Sequence, residues 1–198
     1  TGDYIGAIKD FSSTLSLNPN NEVAYTNRAY YKTQIGDFKG ALADYSTAIK
    51  IDPIEPQTYI SRAWVNFNLG DYEQANVDYE KVLDIGDPIQ KLDSIIYLMD
   101  NNLTLSNLSK VPDLIEKAKF LLNQSDNKEQ ETALLYAESR YYFFIGNFKE
   151  SEELSKKCVA KTNDLIYENA CTSLLSWIYI NNKDYDKAKK FIKFRTYE

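Results

Sequence analysis

Gly36-Asp37-Phe38-Lys39-Gly40-Ala41 returns thirty-four residues later as Gly70-Asp71-Tyr72-Glu73-Gln74-Ala75. A copy stands thirty-four residues earlier as Gly2-Asp3-Tyr4-Ile5-Gly6-Ala7. The period extends through Phe11/Tyr45/Tyr79, Leu15/Ile49/Leu83 and Leu17/Ile51/Ile85, and through Tyr25/Tyr59, Arg28/Arg62 and Ala29/Ala63. Pro19 and Pro53 close two of the units. A fixed period in this range marks stacked repeats, in which neighbouring units bury one another's apolar faces.

Each column has a physical task. The stretch from Glu22 to Ile35 has helical spacing and no breaker. Gly36 follows where a helix end needs a left-handed residue without a Cβ penalty. Asp37 is suited to accept the free N–H groups that open the next helix. That helix is expected over Phe38 to Ile51, with Ala41, Tyr45, Ala48 and Ile49 on one face. Asp52-Pro53 ends it, since proline cannot continue the hydrogen-bond ladder. Each unit is therefore a helical hairpin, and the fold class is all-α.

The Gly-Asp-aromatic turn, the Ala after it, the aromatic four residues later and the closing Asp-Pro resemble the tetratricopeptide repeat family. The resemblance implies a solenoid of stacked antiparallel hairpins running over 1–198 as a single array. Residues 1–88 are its regular part: a half unit from Gly2, then two full units. A degenerate unit occupies 89–130, with helices expected over Pro88–Asp100 and Val111–Asn123 and a polar loop over Asn101–Lys110. Two further degenerate units fill 131–198. One turns at Gly146-Asn147-Phe148, the other at Lys183-Asp184-Tyr185. The half unit and the opening Thr1 read as a fragment.

Composition excludes much chemistry. The chain has 198 residues, 43% hydrophobic and 26% charged, a globular balance that rules out disorder. It contains no His, so no His-dependent triad and no His metal ligand is possible. No nucleophile–base pair, phosphate loop or metal-ligand cluster is visible, so no cofactor and no catalysis are expected. A net charge of −6 disfavours nucleic acid. The basic run Lys183, Lys187, Lys189, Lys190, Lys193 and Arg195 reads as a solvated helix face. Ala170 to Asn182, the longest uncharged stretch near the end, is too short to span a bilayer. No leader is visible; the cytoplasm is the favoured compartment, with no motif that fixes it. Cys158 and Cys171 read as small buried thiols, with a disulfide as the alternative. Three sequons, at Asn102, Asn107 and Asn123, carry meaning only in a secreted protein.

In the resembled family, the first helix of each hairpin lines a concave, ligand-holding face. Gln57, Ile60, Trp64, Phe67 and Asn68 share one stripe of such a helix. Tyr30, Thr33 and Gln34, with Asn27 beside them, form the equivalent stripe one unit earlier. Tyr136, Arg140 and Phe143 belong to the fifth unit, Trp177 and Ile180 to the last. Aromatics and Arg are the residue types that carry binding hot spots. The candidate partner-binding residues are thus Asn27, Tyr30, Gln34, Gln57, Trp64, Phe67, Asn68, Tyr136, Arg140, Phe143 and Trp177. Packing within the array is the competing use of the same aromatics, and partial exposure of Trp64 is expected if it binds. A carboxylate clamp for chaperone tails, known in the family, is poorly matched: Asn27 fits, but Gln57 and Ser61 stand where Lys and Arg are needed. The expected function is a non-catalytic protein-interaction module for a peptide or protein partner. Arg140 points to an acidic segment in that partner. The alternative is a structural scaffold, spacer or self-associating element.

Overall fold

Side-chain caps start the helices and left-handed residues end them. The carboxylates of Asp3, Asp37 and Asp71 accept the N–H groups of Gly6, Gly40 and Gln74 at 2.8, 2.9 and 3.1 Å, satisfying donors with no intrahelical partner. Gly36 and Gly70 have φ of 81° and 80°. The Gly36 N–H bonds back to Thr33 and the Asp37 N–H to Lys32, which ties off the helix's last carbonyls.

The computed structural model describes residues 2–124 and 128–191. Among them the order is α1 (Tyr4–Leu17), α2 (Glu22–Gln34), α3 (Phe38–Ile51), α4 (Pro56–Asn68), α5 (Tyr72–Ile85), α6 (Pro88–Thr104), a 3-10 turn (Leu108–Lys110), α7 (Val111–Leu122), α8 (Lys128–Phe144), α9 (Phe148–Lys161), α10 (Leu165–Asn181) and α11 (Tyr185–Phe191). No strand occurs among the described residues. Lys193 and Arg195, part of the basic run, lie outside them. The chain forms two compact units, Thr1–Asn101 and Asn102–Glu198.

In the first unit the small residues of the repeat bring helices together. Ala29, Ala41, Tyr45 and Val65 form one buried cluster, with Phe38 and Leu42 packed against it. Burying each large apolar side chain contributes about 1.5–3 kcal/mol. A second device is ionic. Arg28 on α2 donates from Nε and Nη2 to both oxygens of Asp44 on α3, at 2.8 and 2.7 Å. Its Nη1 reaches Ser12 on α1 at 3.1 Å. Arg62 on α4 repeats this with Asp78 on α5 and Ser46 on α3. Each arginine therefore ties its helix both to its own hairpin partner and to the hairpin before.

Two sequence expectations change. Asn101–Lys110 is not wholly a loop, because α6 continues to Thr104. The apolar spacing through Leu92, Ile95, Leu98 and Met99 runs on to a buried Leu103, and Asn101 Nδ2 donates to Asn76 Oδ1 at 2.9 Å. The turn comes at Ser106, with φ 60°. There the Asn107 N–H bonds to Asn102, as Asp37 does to Lys32, so Ser106-Asn107 is a Gly-Asp turn in altered residues. Cys158 and Cys171 are not free thiols; a disulfide joins α9 to α10. Both cysteines face the same helix–helix contact and are fully buried, so burial and pairing coincide.

The second unit dispenses with the arginine pairing. Aligned on Gly36 and Gly146, Glu138 stands in the Arg28 position and Leu154 in the Asp44 position. Glu138 instead accepts from Lys119 on α7 at 2.6 Å. In the last hairpin Leu175 and Phe191 take the two positions, and both belong to an apolar cluster with Tyr179 and Ala188. Of the three sequons, Asn102 is buried within α6, while Asn107 and Asn123 are exposed.

Candidate functional site

The first-helix stripes of the first unit frame a cavity. Tyr30, Thr33 and Gln34 from α2 face Gln57, Ile60, Ser61 and Trp64 from α4, and Tyr45 of α3 completes the lining. The cavity has a volume of about 260 Å³, room for one large side chain. No lining residue carries a formal charge at neutral pH. Tyr45 is 2% exposed; burial pushes its hydroxyl pKa up, and a hydrogen bond with Ser61 acts against that.

Exposure separates the aromatics by use. Trp64 keeps 44% of its surface open and Tyr30 51%. The Trp64 ring meets Phe38 edge-on at 6.4 Å, so one side packs and the other is free. Tyr30 stands edge-on to Tyr31 at 5.3 Å. The helices under both rings are held by the Arg28–Asp44 and Arg62–Asp78 pairs, so the rings project from a fixed backbone. Phe67 is 37% exposed and rests edge-on against Tyr72 at 5.4 Å.

Of the sequence candidates in this unit, Tyr30, Gln34, Gln57 and Trp64 come together around the cavity. Asn27, Phe67 and Asn68 do not line it. The amides of Asn27 and Asn68 fold back onto their own helix and donate to Val23 and Trp64 carbonyls. Arg62, one position off the clamp slot, is held by Asp78, which removes it as a ligand for a partner carboxylate. Sequence reading missed Tyr45 as a lining residue, because its column reads as packing; the 34-residue period alone does not separate a buried floor from a buried core.

In the second unit the candidates lie on α8 and α10. Tyr136 stands 6.3 Å from Tyr167, and Arg140 lies over the Tyr136 ring at 5.6 Å. Phe143 meets Phe148 edge-on at 5.5 Å, the contact that Phe67 makes with Tyr72. Trp177 is 60% exposed; the final hairpin does not cover it. A cavity of about 440 Å³ opens among Glu129, Thr132, Lys161, Thr162, Asn163, Asp164 and Tyr167, with charged side chains of both signs around it. No helix among the described residues is long and apolar enough to cross a membrane. They also hold no cluster of metal-ligating side chains.

The sequence profile of the tetratricopeptide repeat family matches residues 23–55, 56–85 and 173–193. No curated protein sequence matches the chain significantly. Solved structures share the fold at low identity. BtubC from P. vanneervenii superposes with a TM-score of 0.75 at 14% identity, covering 96% of this chain and 85% of that one. A tetratricopeptide repeat protein from Parabacteroides merdae gives 0.66 at 18%, with 98% and 74% covered. YrrB, described as having an unusual peptide-binding site, gives 0.63 at 16%, with 91% and 88% covered.

Proposed function

We propose that this all-α chain of stacked hairpins, whose residues 23–55, 56–85 and 173–193 match the tetratricopeptide repeat profile, serves protein–protein interaction and binds a peptide segment of a partner in the groove between α2 and α4. The observation that carries the proposal is the uncharged cavity flanked by two half-open aromatics, Tyr30 and Trp64. A side chain spent on packing alone is driven to near-complete burial; Tyr79 is an example. Trp64 instead offers a rigid apolar surface at low entropic cost, the property that concentrates binding energy in aromatic residues.

The groove's chemistry defines the ligand. A bulky uncharged side chain fills the space between Trp64, Ile60 and Tyr45. Gln34 and Gln57, both exposed at the rim, supply amide donors and acceptors for an extended peptide backbone. Arg140 in the second unit is a separate candidate contact for an acidic partner segment. Recognition requires no bond chemistry, so the protein acts as an adaptor without catalysis. YrrB, which carries a peptide-binding site on a similar fold, supports this reading.

Selection from a random peptide library on the intact chain tests it. Enriched peptides are expected to share one bulky uncharged residue and to lose affinity for Trp64→Ala. Peptides that bind the wild type and Trp64→Ala equally would remove the groove from the function. A scaffold role is the competing outcome: light scattering that finds a stable homo-oligomer insensitive to Trp64→Ala, together with no enriched peptide, would favour it.

A further inference from the structure

The charged side chains of α2 and α4 are divided by sign. Three basic residues belong to these helices, Arg28, Lys32 and Arg62. None is free to meet a ligand in the groove between them. Arg28 and Lys32 both close on Asp44 at 2.7 Å, and Arg62 closes on Asp78 at 2.6 Å. Both acceptors are buried and belong to α3 and α5, so all three cations are turned onto the second helices of the hairpins.

The anion at the groove has no such partner. Glu22, in the first turn of α2, is half-buried. Its Oε1 accepts from Thr26 at 2.8 Å and from Thr58 of α4 at 3.5 Å. Its Oε2 makes no hydrogen bond, and no cation pairs with it, among the described residues. Thr58 follows Gln57 and precedes Ser61 by three residues, and both of these line the cavity. Three residues advance a helix by about 4.5 Å, so the carboxylate stands close to one end of the cavity. Glu55 caps α4 at the same end, accepting from the Gln57 N–H at 3.0 Å. The surroundings carry the same sign. Residues 1–101, the first compact unit, hold fifteen carboxylates against eight basic side chains, a net charge of −7, while the remaining residues sum to +1. A cleft bordered by one sign of charge concentrates ligands of the other.

We propose that the segment held between α2 and α4 is basic: beside its bulky uncharged anchor it carries a lysine or arginine that pairs with Glu22. This rests on the groove reading above and adds the charge of its ligand. An extended peptide advances about 3.4 Å per residue, so the cation stands one or two positions from the anchor, toward the first turns of α2 and α4. Glu22 Oε2 receives it while Oε1 keeps its threonine bonds. An acidic neighbour is rejected: it meets Glu22 with like charge and finds Arg28, Lys32 and Arg62 already taken.

A random dodecapeptide library displayed on phage and selected against the intact chain is the probe. Peptides whose binding is lost in Trp64→Ala are expected to carry Lys or Arg within two positions of the anchor. In a synthetic copy of such a peptide, replacing that cation by glutamine should weaken binding about fivefold or more, the scale of a charge-assisted hydrogen bond. The same replacement should change little when the chain carries Glu22→Gln. Glu22→Lys in the chain, paired with a glutamate in the peptide, should recover part of the loss. Raising the salt from about 50 to 500 mM should weaken the cationic peptide and leave its glutamine version nearly unchanged. Glu22→Gln keeps an oxygen for both threonines, and its melting curve checks the fold. Trp64-dependent peptides with no basic preference overturn the proposal and leave the groove standing. So does a cation whose removal costs as much in Glu22→Gln as in the wild type. Finding no Trp64-dependent peptide at all overturns both.

Discussion

Arg62 grips Asp78 by two prongs, Nε to Oδ2 at 2.9 Å and Nη2 to Oδ1 at 2.6 Å. The contact reproduces, one repeat later, what Arg28 does with Asp44. The two differ in what surrounds them. Lys32 adds a second cation to Asp44 at 2.7 Å, whereas the corresponding position next to Asp78 is Asn66, a buried neutral amide.

Removing either arginine leaves a buried carboxylate, and breaking a buried pair this way costs about 3–5 kcal/mol. Arg62→Ala should reach that range in urea denaturation. Arg28→Ala should cost less, because Lys32 still neutralises Asp44. The double change Arg62→Leu with Asp78→Leu should recover much of the loss, since a packed apolar pair avoids the desolvation penalty. The Leu175–Phe191 positions of the last hairpin already use that solution. Equal losses for the two single variants would mean that Lys32 contributes nothing.

The same asymmetry gives opposite responses to acid. Burial pushes the Asp44 carboxyl up, but hydrogen bonds from Arg28 and Lys32 outweigh it and hold the pKa below the ordinary value. Its stabilisation is therefore complete above the unfolded-state value and is lost as pH falls through the lower folded value. Burial also raises Asp78, and Arg62 alone does not reverse it. The folded state then holds the Asp78 proton more tightly than the unfolded chain. Acidifying from neutral through its raised value should relieve strain at this site. Stability measured against pH should lose part of its acid-range decline in Asp44→Asn. In Asp78→Asn the decline should steepen. Parallel profiles for the two variants would contradict this assignment.

Trp64→Ala should weaken a selected peptide by roughly 2 kcal/mol or more, the scale of a hot-spot residue. Its cost in folding should stay below the about 3–5 kcal/mol expected when a core aromatic such as Tyr79 is emptied to alanine. Calorimetry and thermal melts on both variants make the comparison. A Trp64→Ala protein as unstable as Tyr79→Ala would return the ring to a packing role.

Gly70 holds a left-handed backbone, and a β-branched residue there meets the penalty of that region. Gly70→Val should destabilise by about 1–2 kcal/mol. Lys183 adopts the same conformation, φ 59°, without glycine's freedom. Lys183→Gly should therefore stabilise the last hairpin, by about 0.5–1 kcal/mol after the extra freedom of the unfolded chain is counted. A fall in melting temperature for Lys183→Gly would show that its side chain contributes more than its backbone costs.

Reduction of Cys158–Cys171, thirteen residues apart, frees a short loop in the unfolded chain. A cross-link of about this span contributes roughly 3 kcal/mol. Denaturation with and without reductant should differ by that amount, and thiol titration of the oxidised protein should find no free cysteine.

Much of this fold can be read from the 34-residue period, because Gly36, Asp37, Ala41 and Pro53 act locally: each sets a turn, a cap or a close approach whose chemistry is visible in the residue itself. The period also contains Asp44 and Asp78, yet their importance depends on an arginine sixteen residues away on another helix, and spacing alone does not reveal that contact. Ser106 and Lys183 disguise the turn, since tertiary packing carries a left-handed cost that local propensity argues against. The stripes from Tyr30 to Gln34 and from Gln57 to Trp64 were legible as faces. Tyr45 was not legible as part of the cavity, because a floor and a core look alike in one dimension. For the cysteines, burial is legible in the sequence and pairing is not, since helical spacing gives no register between α9 and α10.

The bridge between α9 and α10 encloses the exposed link at residues 163 and 164. A protease that cuts there opens the backbone but does not part the pieces. The nicked chain would run as a single band until reductant is added, then as two. Damage at this exposed joint is thereby converted from loss of a helix pair into a silent scar.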